Sequence, residues 1–80
     1  MNDLTRLRAV NMAKGVLREI SRVRRGESCL MAQTRSRLAV LRHMASRGEI
    51  SCTHYDFIYN EFWRCAIEQR GIIAEWRIVH

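Results

Sequence analysis

The chain has 80 residues, with 14 Lys or Arg against 8 Asp or Glu, a net charge of +6 and 48% hydrophobic residues. This length holds one domain with a thin core, too small for a dinucleotide-binding or doubly wound enzyme, and too apolar for a disordered tail. No stretch of about 18 apolar residues is present to span a membrane, and no leader-like pattern is read at the start, so a soluble cytoplasmic protein is expected.

The first segment, 1–26, reads as a helix. Asp3 is placed to cap its first turn and Gly26 to close its last. At 100° per residue, Ala9, Val10, Met12, Ala13, Val16, Leu17, Ile20 and Val23 fall on one broad face. Lys14, Arg18, Arg22 and Arg25 fall on the opposite face, and Leu4 and Leu7 lie toward that basic side. Gly15, in the middle, weakens the helix by about 1 kcal/mol relative to Ala without breaking it.

The second segment, 28–48, starts at Ser28 as a cap and carries the stripe Leu30, Thr34, Leu38, Leu41 and Ala45, flanked by Met31 and Met44. Arg35 and Arg42 lie together beside that stripe. The turn that follows has a local logic of its own: Gly48 as the helix stop, Ile50 as an apolar plug, and Ser51 or Thr53 as the next cap. With Tyr55 and Asp56 after it, this spacing is similar to the turn of short helical hairpins of the SHOCT type, a connector geometry that implies no activity.

The third segment, 52–71, has a wide apolar face of Tyr55, Ile58, Tyr59, Phe62, Cys65 and Ala66, extended by Trp63 and Ile67, with Phe57 elsewhere and Gly71 as the stop. Such a face predicts a central helix, with the aromatics in the core. Residues 72–79 change period. Ile72, Ala74, Trp76 and Ile78 alternate with Ile73, Glu75, Arg77 and Val79, which predicts an extended arm. A lone strand leaves its backbone groups unsatisfied. The arm therefore packs on the helices, pairs with its copy in a homodimer, or adds to a partner's sheet. The expected fold is thus all-α, a three-helix arrangement with a hairpin of helices 2 and 3 and a short C-terminal β-like arm, in one domain spanning 1–80.

The charge is unevenly spread. Residues 1–48 hold eleven basic against three acidic residues, a local charge of +8, whereas residues 49–80 hold three against five, a charge of −2. All six aromatic residues lie between Tyr55 and Trp76. The stripe Lys14, Arg18, Arg22, Arg25, together with Arg35 and Arg42, is the candidate binding surface for phosphates or an acidic protein face. Only Lys14 of the fourteen is lysine, and arginine suits planar, bidentate acceptors. The second candidate surface is the arm, through Ile72, Ala74, Trp76 and Ile78.

Catalysis fits poorly. Cysteines 29, 52 and 65 and histidines 43, 54 and 80 are not accompanied by an orienting third group, an oxyanion loop or a glycine-rich phosphate cradle. A zinc set of Cys29, Cys52, His54 and Cys65 lacks the close paired spacing that structural zinc uses. An odd cysteine count points to reduced thiols. No enzyme activity, metal or cofactor is expected.

Short, arginine-rich, proline-free and without a catalytic motif, the chain resembles in general look the small accessory proteins of temperate bacteriophages. That resemblance implies a protein that occupies a site on host or defence machinery handling nucleic acid. The expectation is a non-enzymatic basic helical protein that docks on such a machine and modulates or inhibits it. Direct, largely phosphate-directed binding of DNA or RNA, by a dimeric regulator, is the alternative.

Overall fold

The computed structural model describes residues 3–30 and 32–79, the stretch 70–79 by its backbone course alone. Three helices follow one another: α1 (Asp3–Arg24), α2 (Ala32–Ser46) and α3 (Cys52–Val79). Each packs on the other two, in an up-down-up bundle 53 Å long and under 20 Å wide in the other directions (19 and 17 Å). The all-α expectation holds.

Local chemistry explains most of the boundaries. Asp3 sits in the first turn of α1 and Arg22 and Arg24 in its last, each sign opposing the partial charge of that helix end. Gly26 has φ of 77° and Gly48 of 76°, the left-handed region that ends a helix at little cost only for glycine. At the first stop the N–H groups of Gly26 and Glu27 donate to the carbonyls of Val23 and Arg22, at 3.0 and 2.9 Å. At the second, those of Gly48 and Glu49 donate to Ala45 and Met44 at the same two distances, 3.0 and 2.9 Å. Two carbonyls that would otherwise lack a donor are satisfied at each end. Ser51 caps α3, its Oγ accepting from the His54 N–H at 3.1 Å.

The core is built from one stripe per helix, each with steps of three and four residues. Ala9, Ala13, Val16 and Ile20 come from α1, Thr34, Leu38 and Leu41 from α2, and Ile58, Phe62 and Cys65 from α3. Ile50 plugs the turn end as the sequence suggests. Met12, Leu17, Val23, Leu30, Met44, Ala45, Tyr55 and Trp63 pack around this core half-buried.

Three expectations need correction. Helix 2 begins at Ala32, not at Ser28. The Ser28 hydroxyl instead donates to Glu19 Oε1 at 3.1 Å, and the Leu30 N–H donates to Gln69 Oε1 at 3.2 Å, so the linker is spent on tertiary bonds. Gly71 does not stop helix 3, and the β-like arm expected at 72–79 is absent: the backbone is helical through Val79. A mid-helix glycine costs only about 1 kcal/mol, whereas a helix satisfies its own backbone groups and a lone strand does not. The sequence allows both periods, since Ile58, Phe62, Cys65, Gln69, Ile72, Trp76 and Val79 also follow steps of four and three. The side-chain role assigned to Ile72, Ala74, Trp76 and Ile78 lies outside the described residues. Third, Ile67 does not extend the apolar face of α3, being 67% exposed.

Candidate binding surface

Lys14, Arg18 and Arg22 emerge on the face of α1 opposite Ala9, Ala13, Val16 and Ile20, and Arg25 follows in the turn after the helix; all four are exposed. They divide into two pairs. Arg22 lies 4.0 Å from Glu19 and 4.0 Å from Glu27, and Arg25 donates to Glu27 at 3.2 Å. Lys14 and Arg18 have no acidic partner within ion-pair distance among the described residues, nor do Arg6, Arg8 and Arg37. Leu4 and Leu7 are 53% and 55% exposed at the N-terminal end of the same face.

Arg24, which the sequence does not single out, is the most firmly held cation. Its Nη1 donates to Glu61 Oε2 at 2.6 Å and its Nε lies 3.6 Å from Glu68, tying α1 to α3. That hydrogen bond raises the Arg24 guanidinium above its ordinary range and holds the Glu61 carboxyl below the usual carboxylate value. Arg64 adds a 3.5 Å contact to Glu61. Arg47 donates to Glu49 Oε1 at 2.8 Å, and the second oxygen of that buried carboxylate has no partner.

Arg35 and Arg42 do not join the α1 stripe, because both meet α3 instead. The Arg35 guanidinium lies over the Trp63 ring, 5.8 Å from its centroid. Arg42 lines a hollow of about 320 Å³ with Tyr55, Asp56 and Tyr59. Tyr55, Tyr59 and Trp63 form a ladder at centroid spacings of 5.9 and 6.2 Å, and Phe62 meets Trp63 edge-on at 5.5 Å. Burial pushes the Tyr55 phenol up, against the opposing pull of Arg42. Of the described aromatics only Phe62 is in the core; Tyr59 is 42% and Phe57 55% exposed. Arginine and aromatic rings thus line an edge of the bundle that periodicity assigns to the core. The i, i+4, i+8 spacing of Tyr55, Tyr59 and Trp63 is its signal in the sequence.

The thiols are dispersed. Cys52 and Cys65 are thirteen residues apart on α3, about 20 Å along the axis, so the zinc set does not assemble. Among the described residues no three His, Cys, Asp or Glu side chains are grouped to hold a metal. Cys65 is buried and desolvation pushes its thiol up, away from the thiolate that a nucleophile needs. It shares with Cys29 a cleft of about 550 Å³ where α1 hands over to α2. No helix among the described residues is long and apolar enough to cross a membrane. Compared with protein-family models, curated proteins and solved structures, the chain shows no match.

Proposed function

We infer that the chain is a non-enzymatic docking protein that binds an acidic face of a machine handling nucleic acid and modulates or inhibits it in the cytoplasm, as its resemblance to phage accessory proteins implies. The observation that carries this reading is a set of exposed cations on α1 and α2: Arg6, Arg8, Lys14, Arg18 and Arg37 have no acidic partner among the described residues. Enzymes that cut or copy nucleic acid hold carboxylate clusters for divalent ions, which a rigid arginine-bearing helix complements in charge. Affinity purification with mass spectrometry from nuclease-treated lysate tests it. The expected result is a retained nucleic-acid enzyme that is lost with Lys14→Glu/Arg18→Glu; retention independent of these two residues, or none, contradicts it.

One observation favours a second reading, direct binding of single-stranded nucleic acid. The Tyr55–Tyr59–Trp63 ladder flanked by Arg35 and Arg42 combines ring faces with cations, the arrangement that stacks bases and neutralises phosphates. A gel shift with single-stranded DNA or RNA that disappears with Tyr59→Ala and Arg42→Ala would support this reading over the first.

A further inference from the structure

A cleft of about 460 Å³ runs between α1 and α2, lined by Arg8, Asn11, Met12, Gly15, Arg37 and Met44. Its chemistry is layered. Met12 and Met44, half-buried against the core, supply an apolar, adaptable floor. Arg8 and Arg37, one from each helix, stand exposed at the cleft without an acidic partner among the described residues.

Gly15 is the unusual member. Glycine is a poor helix former, yet Gly15 sits in the interior of α1. Nothing in the fold requires it there: φ is not in the left-handed region, and beyond the adjoining backbone of its own helix an added Cβ would meet no atom within 4 Å. The space above Gly15 therefore faces the cleft and not a neighbouring helix of the chain. A glycine at such a place lets another backbone approach closely.

The geometry points to this cleft as the seat of an acidic amphipathic helix from the partner protein, an apolar side chain on the methionine floor and flanking carboxylates on Arg8 and Arg37. This deepens the docking reading and rests on it. Two other occupants fit less well. A phosphate backbone gains nothing from two thioethers and a glycine. A second copy of the chain brings its own surplus of +6 to a cationic rim.

The cleft can be tested without endangering the fold, because filling the space at Gly15 removes a helix weakness. The probe is a fluorescein-labelled helical peptide of about 18 residues, five turns, with Leu on one stripe and Glu elsewhere. Its binding is followed by anisotropy at about 0.1 M salt, beside a Lys-for-Glu peptide and a single-stranded DNA. The acidic peptide is expected to bind and the Lys version not. Gly15→Leu and Arg8→Glu/Arg37→Glu should each weaken binding about tenfold or more. Gly15→Ala should leave binding within about threefold while raising Tm by roughly 5 °C. Acidic-peptide binding unchanged by Gly15→Leu but lost with Lys14→Glu/Arg18→Glu overturns the cleft and leaves the docking reading standing. Binding of the DNA alone overturns both, as does binding of neither.

Discussion

The cations at and just past the C-terminal end of α1 and those of its earlier turns share their chemistry and differ in their surroundings. Arg22, Arg24 and Arg25 all have a glutamate within 4.0 Å, supplied by α1 itself, the linker or α3. Arg6, Arg8, Lys14 and Arg18 have no such partner among the described residues. Within the first group Arg24 ties α1 to α3, and Arg22 and Arg25 are neutralised locally by Glu19 and Glu27. The second projects an uncompensated charge. Residue type alone does not separate an arginine that holds the fold from one that offers a surface; the placement of the acids does.

If that division is right, removing a paired arginine should be felt in stability, in proportion to the burial of its acid. The largest effect is expected for Arg47→Ala, which strands the Glu49 carboxylate at 8% side-chain exposure. A loss of about 1–3 kcal/mol in urea unfolding is expected there. Arg24→Ala should cost less, since Arg24 is a third exposed (34%) and water screens part of the pair. A pH series sharpens this case. Glu61 is depressed in the folded state, so its pair contributes fully above the unfolded carboxylate value near 4.3 and is lost as pH falls through the lower folded value. The parent should therefore lose stability below about pH 4.3 more steeply than Arg24→Ala, measured by thermal melts. Equal slopes would show that the pair does not form in solution.

Arg35→Ala tests the other α3 contact. It should cost about 0.5–1 kcal/mol, read by urea unfolding and accompanied by a change in native tryptophan emission as the cation leaves the Trp63 ring. At the bottom of the scale stand Lys14→Ala and Arg18→Ala, each expected within about 0.5 kcal/mol of the parent.

Much of the bundle was readable from local chemistry. The α1 core stripe, the stops at Gly26 and Gly48, the Ile50 plug and a cap at Ser51 or Thr53, of which Ser51 is the one used, are each set by residues near in sequence, so period and capping rules reach them. What was missed depends on distant residues. Ser28 looks like a cap until Glu19 takes its hydroxyl. Glu61 and Glu68 are met by Arg24 only because the fold brings α1 beside α3, thirty-seven and forty-four residues away in sequence. Tyr59 and Trp63 share the helical spacing of a core pattern, yet Phe62 alone is buried, Trp63 packs half-buried at its margin and Tyr59 is 42% exposed. Residues 72–79 fit both a period of two and a period near 3.6, and backbone hydrogen bonding decides for the helix. The candidate surface was half legible: Lys14 and Arg18 stand where the wheel puts them, Arg22 and Arg25 are claimed by acids, and Arg35 and Arg42 face a different helix.

The division of α1 is tested most directly by heparin-column elution of two double variants, Lys14→Ala/Arg18→Ala and Arg22→Ala/Arg25→Ala. Both lower the net charge equally, so any difference reports the availability of the cations and not their number. The first variant is expected to elute at clearly lower salt than the parent and the second close to it. Equal shifts for the two, or a larger shift for the second, would contradict it.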